Sequence, residues 1–310
     1  MPAPIEFSKQ YIQKADMEMH EMLDKWEQLS QKTRKRLPLK IEDYSWNTAR
    51  PDRVRPTIIA ALQFVSHVER PPHLYSQPIL QAARDAGVTS LERFIERTWL
   101  PEETNHGLLL RKAAIVYGAV PQEQHDRDLA RIDKLNFPIG RGYTAGKAAT
   151  YGEGQELITD LFYIAMRNNT YDPNLRSVLS DLAAQEMFHS RVYREFRMRF
   201  ATPEDTVEAI AGFKMPGHIT SPKLQQYSTG WAHELGFDFK RMRHSLATML
   251  IEQSGYQGLG RVVTSEIIRN DYPTPIRTAL SLANRINNPV INSLSGRVAA
   301  RVSGVKLKAV

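Results

Sequence analysis

Two elements, Glu103-Thr104-Asn105-His106 and Glu186-Met187-Phe188-His189, repeat the spacing Glu-x-x-His, each inside a stretch whose apolar residues recur at helical intervals. Residues i and i+3 of an α-helix face the same way, so each element aims one carboxylate and one imidazole at a common point. The spacing alone is weak evidence. With 20 Glu and 9 His in 310 residues, chance supplies about 0.6 matches. Position strengthens it. Counted in steps of three and four, one stripe runs Leu91, Ile95, Trp99, Glu103, His106, Leu110, Ala113, Tyr117, and a second runs Leu175, Val178, Leu182, Glu186, His189, Tyr193, Phe196, Phe200. Both place ligand-type side chains where the helix should face a core. Glutamate is rarely buried unless it is paired or bound to metal. The plain alternative is a set of buried Glu and His satisfied by hydrogen bonds.

Two further stretches each carry one acidic residue on the same kind of stripe. In 57–84 the stripe is Ile58, Leu62, Val65, Glu69, Pro72, Ser76, Ile79, Ala83; in 145–169 it is Ala149, Gly152, Glu156, Thr159, Tyr163, Met166. The order along the chain is then Glu, Glu-x-x-His, Glu, Glu-x-x-His, the pattern of a bundle-borne dinuclear carboxylate site. Four carboxylates confined together repel one another unless cations or protons intervene. An oxygen-rich set with two imidazoles suits iron, with manganese as the alternative, better than zinc.

At these residues the chain resembles a known family. Trp99-Leu100-Pro101-Glu102-Glu103-Thr104-Asn105-His106-Gly107 is similar to the Trp-x-x-Glu-Glu-x-x-His-Gly segment of the soluble, stearoyl-type acyl-carrier-protein desaturases, and Gln155-Glu156-Leu157-Ile158-Thr159 resembles their Gln-Glu-x-x-Thr segment. Glu69 followed by Tyr75 matches the surroundings of that family's first ligand, and the likeness runs from about residue 40 to about 200. The resemblance implies a ferritin-like four-helix core with additional flanking helices. It also implies two ferrous ions on Glu69, Glu103, His106, Glu156, Glu186 and His189, with Thr159 handling protons during oxygen activation. The implied activity is O2-dependent insertion of a cis double bond into an acyl chain on acyl carrier protein, with electrons from a ferredoxin-type donor and a homodimeric enzyme. A related di-iron hydroxylase or N-oxygenase, and a non-catalytic iron-binding protein, are the competing readings. One departure stands out: the family usually has Asp immediately before the second Glu-x-x-His, and Gln185 stands there. Pro71-Pro72 and Pro101 should bend the helices that carry the first and second ligands.

Composition narrows the class further. Hydrophobic residues make up 42% of the chain, enough for one sizeable core in a single domain spanning 1–310. Its parts are an N-terminal helix and basic connection (1–45), the ligand core (57–200), and buttressing helices with a basic tail (201–310). Helix formers dominate without sustained alternation, so the expected class is all-α. The absence of cysteine removes disulfides, thiolate sites and Cys nucleophiles. No apolar run approaches the roughly 18 residues of a membrane span, and Met1-Pro-Ala-Pro-Ile-Glu-Phe lacks a signal-peptide core; a cytoplasmic protein is expected. Nucleic acid is not expected as a partner, since no binding motif is present.

Helices are expected at 5–33, 57–84, 89–118, 145–169, 174–200, 203–213 and 237–270, with a connecting loop over 119–144 and a loose basic stretch from Arg297 to Val310. The net charge of +7 points to an acidic partner, and the family resemblance implies that this partner is acyl carrier protein. Arg191, Arg194, Arg197 and Arg199, or Lys32 to Lys40, are the expected docking clusters. The histidines at 20, 67, 73, 125, 218, 233 and 244 have no evident partners and are expected in surface or structural roles.

Overall fold

A computed structural model describes residues 7–33, 38–134, 142–212, 235 and 239–253. Among them the fold is all-α, a helical bundle without strands. Its helices are α1 (Lys9–Thr33), α2 (Pro56–Val68), α3 (Pro72–Ala86), α4 (Thr89–Phe94), α5 (Leu100–Val116), α6 (Gln122–Ile132), α7 (Ala145–Asn168), α8 (Pro173–Phe200), α9 (Pro203–Gly212) and α10 (Phe239–Gln253). None of these is long and apolar enough to cross a membrane. Three single 3₁₀ turns, at Ile41–Asp43, Trp46–Thr48 and Pro51–Arg53, fill the irregular entry to α2.

Start and stop chemistry sets the long helices. Thr144 caps α7 by accepting from the Lys147 backbone N–H (3.0 Å), and Asp172 caps α8 by accepting from Leu175 N–H (2.8 Å). The second Asp172 oxygen accepts from Arg50 N–H (2.8 Å), and the first also takes the Tyr117 hydroxyl (2.6 Å), which ties three segments to one carboxylate. Asp16 of α1 does the same for α4, accepting from the backbone N–H groups of Thr89 (3.2 Å) and Ser90 (2.8 Å).

The helix expected over 57–84 is two helices. Proline at 71 and 72 cannot continue the hydrogen-bond ladder, so α2 ends at Val68 with Glu69 as its C-cap and α3 restarts at Pro72. Pro101 has a related effect. A π-helical turn, Ile95–Trp99, lies between α4 and α5 immediately before it, the kind of local widening that often marks functional sites. The expected loop over 119–144 contains α6. Its inward face is made of His125 and Ile132 with half-buried Asp128 and Leu129, so counting apolar residues does not reveal it. Residues 135–141, residue 213, residues 237–238 and the part of 237–270 beyond Gln253, the stretch from Arg297, and residues 34–37 of the Lys32 to Lys40 cluster lie outside the described residues.

The apolar core falls into two clusters. One gathers Leu62, Leu109, Leu110, Tyr163, Leu179 and Leu182 with their neighbours; the other gathers Met19, Leu91, Ile95, Trp99, Tyr193 and Phe196 with theirs. Along α5, Glu103 and His106 come after Trp99 of one cluster and before Leu109 of the other. Along α8, Glu186 and His189 come between Ala183 and Val192. A polar layer therefore crosses the bundle between two apolar ones.

Candidate metal centre

Both long stripes are buried as their spacing requires. Glu103, His106, Glu156, Glu186 and His189 are each 4% exposed or less, and one donor atom from each of Glu103, Glu156, Glu186 and His189 lies within 4.8 Å of the others. The His189 Nδ1 atom is 3.0 Å from Glu103 Oε1 and 3.8 Å from Glu156 Oε2. Across the layer, His106 Nδ1 is 3.0 Å from Glu186 Oε1 and 3.5 Å from Glu103 Oε1. The two rings stack at 5.8 Å with 30° between their planes.

The outer nitrogens explain the orientation of the rings. His189 Nε2 is 2.8 Å from Glu102 Oε2, and His106 Nε2 is 2.7 Å from Gln185 Oε1. With a proton on each Nε2, donated outward, each Nδ1 turns a lone pair toward carboxylate oxygens. That is repulsive unless a cation sits between. The atoms left without a hydrogen-bond partner are the inward ones: both Nδ1 atoms, Glu103 Oε1 and both oxygens of Glu186. Buried polar groups are nearly always satisfied, so this set fits a metal site, and a mixed carboxylate and imidazole shell fits iron. Glu156 is anchored separately, its Oε1 accepting from Trp99 Nε1 (2.8 Å).

Electrostatics without a cation give the same picture. Burial, then repulsion from Glu103, pushes the Glu69 carboxyl well above its ordinary range; burial, then Glu103 and Glu156, does the same to Glu186. Burial also works against ionisation of Glu103, but His106 and His189 outweigh it and hold that carboxyl well below its usual value. For His189, burial disfavours the cation, and hydrogen bonding to Glu102, Glu103 and Glu156 overcomes it, so its pKa lies well above normal. The metal-free layer is thus a set of carboxylates sharing protons, which a divalent ion would displace.

Glu69 joins from the α2–α3 break. Its surroundings include Glu103, Glu156 and the Tyr163 hydroxyl, and it is partly open to a cavity rather than sealed. Gly107 makes this approach possible. A Cβ there would lie 2.8 Å from the Glu69 carbonyl oxygen and 2.9 Å from Arg70 Cα, so only glycine lets α5 pass the break so closely.

The cavity encloses about 800 Å³, its open mouth included. Its wall is mainly apolar ring and aliphatic surface, including Tyr75, Pro78, Ile79, Tyr151 and Tyr193, with Glu69, Glu103, Glu156 and Glu186 at one side. Thr159 lines it too, its hydroxyl donating to Gln155 O one turn back (3.1 Å). Sequence reasoning gave no role to Glu102; the stripe tyrosines Tyr163 and Tyr193 are both buried, the Tyr163 hydroxyl facing Glu69.

The arginine cluster separates into different roles. Arg191 and Arg194 are exposed. Arg197 is not: it is 2% exposed, its Nε 2.5 Å from Glu153 Oε2 and an Nη donating to Gln253 Oε1 (2.7 Å). Arg199 pairs with Glu195 on its own helix (2.6 Å). The expected four-arginine docking face is therefore corrected to two exposed arginines, because Glu153 on α7 draws Arg197 inward.

The profile of the family described as fatty acid desaturase matches residues 79–242, just over half of the chain. The chain belongs to the fatty acid desaturase family. The match takes in Glu103, His106, Glu156, Glu186 and His189 and begins downstream of Glu69. No curated protein matches the chain. Family membership and the buried Glu/His cluster together fit a di-iron desaturase.

Proposed function

We propose that this desaturase acts on an acyl chain carried by acyl carrier protein, in a ferritin-like bundle that holds two ferrous ions on Glu69, Glu103, His106, Glu156, Glu186 and His189. The observation that supports this most is the set of unpartnered buried donors at the side of a largely apolar cavity. An iron store would not need such a cavity.

The iron pair, when bound, would supply the oxidising power that takes two hydrogens from adjacent carbons. Overall, those two hydrogens, two electrons from a ferredoxin-type donor and two protons reduce O2 to two waters and leave a cis alkene. The protein's contribution is positional. Tyr75, Pro78, Ile79 and Tyr151 would hold the chain extended and exclude water. Thr159, whose hydroxyl hydrogen is directed at Gln155 O, keeps oxygen lone pairs free to accept a proton or a water on the cavity side. Trp99 and Gln185 would fix Glu156 and His106 so that the donors need not reorganise. Arg191 and Arg194, the exposed members of the arginine cluster, would meet an acidic carrier in a cytoplasmic homodimer.

The test is incubation of iron-reconstituted protein with acyl carrier proteins bearing chains of several lengths, a ferredoxin and its reductase, followed by mass spectrometry of the released acids. A loss of about two mass units for one chain length is the expected result. A gain of about sixteen would instead make the chain a hydroxylase, and no change at any length would end the carrier reading.

A further inference from the structure

The two imidazoles of the site face equivalent charges on their inner side and different ones on their outer side. Inward, His189 meets Glu103 and Glu156, and His106 meets Glu186 and Glu103, two carboxylates each. Outward, His189 Nε2 meets the carboxylate of Glu102, whereas His106 Nε2 meets the neutral amide of Gln185, itself 2% exposed with its Nε2 unpartnered. A carboxylate that accepts from an imidazole N–H drives electron density into the ring and makes the opposite nitrogen a better donor. An amide does so only weakly. The donor geometry has the same bias: His189, not His106, belongs to the quartet of ligand atoms already within 4.8 Å of one another.

We propose that the two metal positions are unequal, with the position beside His189, backed by Glu102, filling first and holding a divalent ion more tightly than the position beside His106, which Gln185 weakens. The proposal rests on the metal-centre reading above. Glu102 and Gln185 act here as positioning residues, through the histidines they orient, and the consequence is a stepwise rather than a concerted loading of the site.

The experiment is a titration of the metal-free full chain with Co2+ against a chelator of known affinity, read by visible absorption. The parent should bind in two steps whose affinities differ by about 10–100-fold, the range that such outer partners control. Glu102→Gln should weaken the tighter step by a similar factor and leave the weaker one in place. Gln185→Glu should tighten the weaker step and bring the two together, and it remains a full test if Glu102→Gln does not fold. His189→Gln should remove the tight step and His106→Gln the weak one. Two equal steps in the parent, or Glu102→Gln weakening both steps alike, would overturn the proposal while leaving a dinuclear site standing. Absence of any cobalt binding would overturn the metal reading itself and this inference with it.

Discussion

Among the described residues the bundle contains two pairs of buried histidines, and only one of them lies within a layer of carboxylates. His106 and His189 stack at 5.8 Å within a layer of glutamates. His67 and His125, between α2 and α6, are equally buried, with ring centroids only 4.4 Å apart. Their surroundings differ in sign. His67 Nδ1 donates to Gln63 O (2.6 Å), His125 Nε2 is 3.2 Å from Ser66 Oγ, and the nearest acidic oxygen, of Asp128, is 3.6 Å from His67 Nε2. Burial, then the charge of His67, lowers the His125 pKa to about 4, whereas the carboxylates around His189 raise its pKa against the same burial. Enclosure disfavours a histidine cation in both places; three carboxylates reverse the outcome in one of them. Burial of histidine is therefore no sign of a ligand, and the number of acidic neighbours is.

The largest effect that could break this contrast is on metal content. Glu156→Ala or Glu186→Ala should reduce bound iron from about two ions per chain to well under one, because removing a carboxylate leaves the cations uncompensated in a buried site. His125→Ala should leave iron content unchanged. Iron counted by atomic absorption on purified, reconstituted protein decides between them, and full occupancy in both glutamate variants would remove them from the ligand set.

The next effect is on folding. His125→Ala deletes a fully buried ring from the α2–α6 contact and should cost about 2–4 kcal/mol, as truncations of large core side chains do. Denaturant unfolding measures it; a loss below the error of the extrapolation would mean that α6 does not depend on the pair.

A smaller effect depends on pH. The folded His125 pKa is depressed to about 4 against a reference of 6.5, so its contribution to stability is complete above about 6.5 and is lost as pH falls toward 4. Allowing for solvent screening, the loss should be about 2 kcal/mol. In His125→Ala that share of the acid sensitivity should vanish. An unchanged slope between pH 6.5 and 4 would place the acid sensitivity in other groups.

How far the sequence revealed these regions follows from what helical periodicity can register. Every member of the stripes through Glu103 and Glu186 is buried, because an apolar residue every three or four positions specifies a face regardless of what interrupts it. The break at Glu69 was visible only as a bend, since Pro71-Pro72 shows where a ladder must fail but not which residue caps the end. Helix α6 was hidden because its inward residues include His125 and Asp128, polar types whose burial depends on partners from α2. Arg197 was misplaced for a related reason: its partner, Glu153, is one helix earlier in the chain, and no local pattern links the two.

The smallest effect concerns a carboxylate that is buried but not clustered. Asp160 lies on α7 one turn past Glu156, is 2% exposed, and has an Oδ2 with no hydrogen-bond partner. Burial raises its pKa to about 6, with Arg167 and Arg191 acting to lower it. A raised carboxyl has the opposite slope to His125. Its contribution to stability is complete below the unfolded value of 3.8 and is lost as pH rises through about 6, so at neutral pH the fold carries an ionised, poorly solvated group. Asp160→Asn keeps the shape and removes the charge. At pH 7 the variant should be more stable by about 1 kcal/mol, or about 1–2 °C in Tm for a chain of this length, and the gain should disappear near pH 4, where the parent is protonated too. Iron content should not change, since Asp160 is outside the donor quartet. A variant less stable than the parent at both pH values would show that the carboxylate is satisfied by a hydrogen bond and that isolation from the cluster does not make it a liability.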